Sequence, residues 1–247
     1  QEDYYYLFLG RALLEKAKAT PEGPAREAQF TQAISALERA RTLNPLNTDH
    51  TANLARAYRS WADSTSDAAL RQARFEQSLA FYEQALALSP HNVQLWNERG
   101  LVYFMMGQYD QALPLYEHSL RLDPEFGQTY LLLGDLYFEM KAWDRALEAY
   151  SQAVALEKKA TYAWSRMAYA YVQLGDLQKG IEANLQVLND VPNDYVTLGN
   201  LAYLYDQVNR PEDALPYAEK ALAVAPAQDK ARWETFIEVL KTKLQKG

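Results

Sequence analysis

Residues 93–126 read VQLWNERGLVYFMMGQYDQALPLYEHSLRLDPEF, and residues 127–160 read GQTYLLLGDLYFEMKAWDRALEAYSQAVALEKKA. Laid one over the other, they share a large aromatic at the fourth place (Trp96, Tyr130) and Gly at the eighth (Gly100, Gly134). Tyr stands at the eleventh (Tyr103, Tyr137), Ala at the twentieth (Ala112, Ala146) and Tyr at the twenty-fourth (Tyr116, Tyr150). Residues 161–194 and 195–228 continue the register, with Trp164 and Leu198 at four, Ala168 and Ala202 at eight, and Tyr171 and Tyr205 at eleven. Pro90, Pro124, Pro192 and Pro226 keep the same 34-residue spacing, and Lys158 fills the one slot without a proline. A fixed period of this length marks a repeat architecture, in which each unit buries its apolar face only against its neighbours.

Within one period, Trp96, Gly100, Tyr103 and Gly107 step by four, three and four, which places them near one helical face. Gly107 accepts a left-handed backbone and is expected to close that helix. A second helix is predicted from near Asp110 to about Leu122, ended by the proline at the thirty-second place. Pro114 and Pro216 share a slot and are read as lying in the first turn of the second helix, where a missing N–H is harmless. Small residues at places eight, twenty and twenty-seven let helices approach closely. The aromatics Trp96, Tyr103, Trp164 and Tyr171 are read as core rather than as a ligand cage, and Tyr109 and Trp143 as packing near the turn.

The pattern extends upstream in two longer units, 3–47 and 48–92, each with an eleven-residue insertion between its halves. The insertions are expected to lengthen the second helices. Pro21, Gly23 and Pro24 mark a loop in one unit; Asp63–Asp67 marks it in the other, with Ser66 or Asp67 as N-cap. Downstream, Trp233, Phe236, Ile237 and Leu240 recur at helical spacing opposite a Lys- and Glu-rich face, which predicts a capping helix over 229–247. The chain 1–247 thus reads as one array of six repeats: 3–47, 48–92, 93–126, 127–160, 161–194 and 195–228.

Trp96, Arg99, Gly100 and Tyr103, followed by Ala, Tyr, small and Pro residues at fixed offsets, resemble the tetratricopeptide repeat (TPR) family over nearly the whole chain. The resemblance implies an all-α, right-handed α-solenoid of six stacked helical hairpins, the TPR superhelix, plus a C-terminal capping helix. It implies a non-catalytic scaffold that binds a protein or peptide segment in a concave groove lined by the first helix of each repeat. Carried onto this sequence, the groove places hold Arg11; Asn53, Arg56 and Arg59; Gln94, Asn97 and Phe104; Gln128 and Asp135; Tyr162, Arg166 and Tyr169; and Asn200 and Tyr203. The Asn amides are expected to pair with a peptide backbone and the arginines with carboxylates. The set of Lys, Asn and Arg residues with which some family members clamp a chaperone C-terminus is matched only at Asn53, so that role is not expected.

Composition narrows the function further. The chain has 247 residues and a formal charge of −7. Residues 93–194 carry eight basic and fourteen acidic side chains, while the flanking segments are close to neutral. That balance, with no basic stripe, argues against nucleic acid as partner. No run of apolar residues is long enough for a membrane-spanning helix. The absence of Cys removes disulfides, thiolate metal sites and thiol nucleophiles. The three histidines, His50, His91 and His118, form no metal-ligand spacing, and no phosphate-binding or nucleophile motif occurs. The chain therefore reads as a non-enzyme with no cofactor or metal. Three further expectations are open. Residues 44–62 and the segments after them resemble TPR tails of bacterial O-antigen ligase or polymerase-type membrane proteins, which implies an alternative, extracytoplasmic role in envelope glycan assembly; otherwise the location is cytoplasmic or undetermined. Gln1 in place of an initiator Met suggests processing or excision. Trp233 and Phe236 offer a contact for homo-oligomers.

Overall fold

The computed structural model describes residues 1–156 and 160–246, and every regular element among them is helical. Lys158, the slot without a proline, lies outside the described residues, as do its two neighbours and Gly247. The chain forms two compact units, residues 1–126 and 127–247. In the first, α1 (Glu2–Ala19) pairs with α2 (Pro24–Leu43), α3 (Thr48–Asp63) with α4 (Ala68–Leu88), and α5 (Val93–Met105) with α6 (Tyr109–Leu122). In the second, α7 (Gly127–Glu139) pairs with α8 (Trp143–Leu156), α9 (Thr161–Gln173) with α10 (Leu177–Asp190), and α11 (Tyr195–Gln207) with α12 (Pro211–Val224). The final helix, α13 (Lys230–Lys246), packs on α12. Within each unit, the first helix of a hairpin also packs on the second helix of the hairpin before it.

The turn inside the four shorter hairpins is one device used four times. The fifteenth residue of each repeat, Gly107, Lys141, Gly175 or Asn209, takes a left-handed backbone, with φ of 71°, 58°, 79° and 57°. The next N–H then reaches back to the carbonyl of the eleventh-place tyrosine: Gln108 to Tyr103, Ala142 to Tyr137, Asp176 to Tyr171 and Arg210 to Tyr205, each at 2.9 Å. This six-to-one closure satisfies a carbonyl that the helix end would otherwise leave open. The second helices end at Leu88, Leu122, Asp190 and Val224, two residues before the periodic prolines.

Two expectations need correction. Pro114 and Pro216 are not in a first turn; each is the sixth residue of its helix, because α6 starts at Tyr109 and α12 at Pro211. The carbonyls of Asp110 and Glu212 therefore lose their usual helical partner, near enough to the helix start for the helix to continue past. The insertions lengthen both helices of their hairpins. The second helices α2 and α4 have 20 and 21 residues against 14 in α6, and the first helices α1 and α3 have 18 and 16 against 13 in α5. Asp67 is the N-cap of α4, accepting the Leu70 N–H at 2.9 Å.

The lengthened ends of the first two hairpins are tied together by charge. Glu27 of α2 accepts from the Trp61 indole of α3 at 3.1 Å and from Arg74 of α4 at 2.5 Å. The Arg74 guanidinium lies 4.0 Å from the centre of the Trp61 ring and also donates to the Thr65 hydroxyl. Arg26 donates to the Ser64 carbonyl at 2.6 Å, and Glu22 accepts from the Ser66 hydroxyl at 2.6 Å.

Small residues meet rings in the core. A Cβ added at Gly100 would stand 2.4 Å from Tyr116, and one at Gly134 would stand 2.4 Å from Tyr150. Tyr82, Tyr116 and Tyr150, all at the twenty-fourth place, are fully buried. At the other end, Trp233, Ile237 and Leu240 of α13 are buried against the last hairpin. The Trp233 indole donates to the Tyr195 hydroxyl at 2.9 Å, which donates to Asp229 at 2.8 Å. Trp233, expected at a contact between copies, is 1% exposed and is consumed within its own chain.

Candidate binding grooves

Each unit has a concavity lined mainly by its first helices. In the first unit α1, α3 and α5 enclose about 560 Å³, with Arg11, Asn53, Arg56, Arg59 and Gln94 on the walls as the sequence suggested. Its lining is largely polar. Arg56 donates to Glu98 at 2.9 Å and Lys18 to Glu15 at 2.8 Å, so two of its cations are matched locally. Arg11 is exposed and Arg59 half-buried, and neither has a carboxylate partner among the described residues. Asn53 lines the groove, but its amide nitrogen donates to the Asp49 carbonyl of its own helix at 2.7 Å. That leaves one amide N–H and its carbonyl oxygen for a peptide backbone.

In the second unit α7, α9, α10 and α11 surround about 700 Å³. Tyr162, Arg166, Tyr169, Asn200 and Tyr203 converge there. The lining is aromatic and apolar around one cation. Arg166 stacks 4.6 Å from the centre of the Phe138 ring and 5.2 Å from that of Tyr162. Asp135 sits beside this cluster. It accepts from the hydroxyls of Tyr150 and Tyr162 at 2.6 Å each and lies 3.9 Å from Arg166. Burial, and then the bond to Asp135, push both phenols above their ordinary range, so they remain neutral donors. Asn200 is exposed on the wall. Tyr203 is half-covered from below, with Phe236 and Trp233 of α13 centred 4.6 and 5.3 Å away.

Three suggested residues fall elsewhere. Asn97 is 3% exposed and lines neither concavity. It sits one turn before Gly100, on the side of α5 that packs inward like the fully buried Ala52 at the same place in the second repeat, whereas Leu7 at that place in the first repeat borders the first concavity. Phe104 turns to the ring of Tyr109 at 5.6 Å. Gln128 is exposed and lines neither concavity.

The most informative lining residue was not singled out. Asn184 of α10 lies on the floor of the second groove, 3% exposed. The signal for it was in the register: the twenty-fourth place is Tyr in three successive repeats and then Asn. Among the described residues no group of three or more His, Cys, Asp or Glu is arranged to hold a metal ion, and no helix is long and apolar enough to cross a membrane.

Four family models match the chain. Models described as tetratricopeptide repeat cover 92–159, 131–195 and 196–225, and one described as TPR repeat covers 67–107, so that 67–225 is matched without a gap. No curated protein matches. Among solved structures, YrrB, a TPR protein with an unusual peptide-binding site, aligns at 23% identity and a TM-score of 0.61 over 82% of this chain and 98% of its own. MamA residues 41 to the end from Desulfovibrio magneticus RS-1 aligns at 19% and 0.56 over 69% and 94%. A chain of the APC/C hetero-tetramer Cut9–Hcn1 aligns at 17% and 0.61 over 97% and 42%. At these identities the likeness is one of fold, and none of these matches supports the expected tie to glycan ligases.

Proposed function

The chain belongs to the tetratricopeptide repeat family, and on that premise we propose that it is a non-catalytic scaffold that holds an extended segment of a partner protein against its first helices. One observation carries the reading. Tyr162, Tyr169 and Val196 are 47, 52 and 64% exposed, yet all three open onto one concavity. Large apolar side chains gathered on a concave face, rimmed by polar groups, are the surface of a docking site rather than of a solvated helix. YrrB is a TPR protein with a peptide-binding site, which makes a peptide the first class of partner to test. The groove of the first unit differs in chemistry. Its unmatched Arg11 and Arg59 suit carboxylates, so acidic stretches of the same or another partner belong there.

The test uses the intact chain as bait in its native source, beside two double variants: Arg11→Ala with Arg59→Ala, and Arg166→Ala with Tyr169→Ala. All four residues are surface or half-buried, so melting curves should stay close to that of the parent. Capture of specific partners should fall in one or both variants. Equal capture by parent and both variants would show that the grooves are not where partners bind.

A further inference from the structure

We propose that the groove of the second unit contains a socket for one aromatic side chain of the bound segment, tyrosine above all, in the space where Asn184 replaces the tyrosine of the repeat. The proposal rests on the groove reading above and adds the residue class that the groove selects.

The neighbouring hairpin displays what normally fills this space. Tyr150 starts on α8, lies with its ring against Gly134 of α7, and ends with its hydroxyl on Asp135 of α7, where the Tyr162 hydroxyl of α9 also arrives. The ring thus plugs the gap between two consecutive first helices from behind. One repeat later the counterparts of these residues are Asn184 for Tyr150, Ala168 for Gly134, Tyr169 for Asp135 and Val196 for Tyr162. All four line the same 700 Å³ cavity. The asparagine is too short to cross the gap. Its amide nitrogen is held by the Gly180 carbonyl of its own helix at 2.7 Å, so the side chain stays at the floor. Its carbonyl oxygen accepts from no protein donor among the described residues. A nearly buried acceptor at the base of walls formed by Ala168, Val172 and Leu204 suits a phenol hydroxyl or an indole N–H entering from the groove. Among the described residues Arg166 is the single charged side chain in the lining, stacked on two rings at the mouth. It favours a carboxylate next to the inserted aromatic residue and disfavours a basic one.

The whole chain can be probed with p-cresol, the tyrosine side chain without its backbone, by mapping amide and side-chain shifts in NMR spectra. It can also be titrated with two acidic ten-residue peptides that differ only in a central Tyr or Ala. The key variant is Asn184→Tyr, which returns the ring to its slot. Tyr82 is fully buried at that place in the second repeat, whose eighth place is also an alanine, Ala55, so a Tyr–Ala pair in this register already occurs within the fold. The expected result is that p-cresol shifts Asn184, Ala168 and Val196, that the Tyr peptide binds about tenfold or more tighter than its Ala counterpart, and that Asn184→Tyr removes both effects. If p-cresol leaves Asn184 and Ala168 unshifted, or if the preference for Tyr survives Asn184→Tyr, the socket is refuted. The parent shifts decide the matter even if the variant fails to fold. Equal binding of the two peptides refutes the socket and leaves the groove standing. Shifts by p-cresol with neither peptide bound support the socket and refute the groove as a site for acidic peptides.

Discussion

Gly134→Ala tests the packing rule on which the second unit rests. In a helix this change alone should stabilise by about 1 kcal/mol, since Gly is a poor helix former. Here the new Cβ would stand 2.4 Å from Tyr150 Cε1 and 2.5 Å from Cδ1. The ring has no easy retreat, because it is fully buried and its hydroxyl is fixed on Asp135 at 2.6 Å. Overpacking of this kind costs about 1–3 kcal/mol, and the contact is at the severe end because the neighbour is an anchored ring rather than a flexible tip. The net expectation is a loss of about 1–2 kcal/mol, or a fall of about 3–8 °C in the melting temperature of a unit this size. Circular dichroism melts of the single variant, with Gly134→Ala plus Tyr150→Leu as partner, read it out. The double variant should recover part of the strain by removing the obstructing ring. A Gly134→Ala protein as stable as the parent, or more so, would mean that the ring does not occupy the space of the missing Cβ.

Other consequences are sharper at the ends of the chain. Asp3 accepts from Asn44, from the chain N-terminus and, through His50 Nε2, from a fully buried imidazole, and the His50 bond holds its carboxyl well below the usual range. A lowered native pKa stabilises the fold above the unfolded value of about 4 and loses that contribution as pH falls below it; acid titration of the parent should therefore show a loss near the first hairpin that Asp3→Asn lacks, and superimposable curves would refute it. Glu27→Ala strips Arg74, a residue 9% exposed, of its carboxylate partner. The carboxylate side chain is itself 44% exposed, so screening reduces the loss to about 1–3 kcal/mol below the parent in urea unfolding. Trp233→Ala removes the largest fully buried side chain, and a loss of about 3–5 kcal/mol is expected, with hydrogen exchange rising first in α11 to α13.

Helix ends were the most legible part of the structure in the sequence, because they are set by local chemistry. The proline at the thirty-second place and Gly107 at the fifteenth each act within one turn. Asn209 is a residue type that also accepts the left-handed slot of Gly107, but Lys141 is not, and there only the register gives it. The misplaced Pro114 has the opposite cause. A general rule about prolines in first turns outweighed the slot of Gly107, which fixes the start of α6 two residues later and leaves the proline deeper in the helix. The groove was harder to read, since exposure depends on neighbours far along the chain. Place numbers carried over from the family put Asn97 in the groove, whereas the inward face of α5 buries it.

The two concavities also differ for a reason that the repeat makes visible. Where the twenty-fourth place is Tyr and the eighth is Gly, as in Gly134 with Tyr150, the gap between the first helices α7 and α9 is filled from behind. At Ala168 with Asn184 both members of the pair differ, and the ring is gone. Losing a buried ring without refilling its space destabilises a core. The exposed ring of Tyr169 and the exposed Val196 side chain border the opening. A chain under selection for stability alone has a ready remedy in its own neighbouring repeats, a tyrosine at that place. Its absence there, beside two exposed apolar side chains, agrees with the proposed socket for a ring from another molecule.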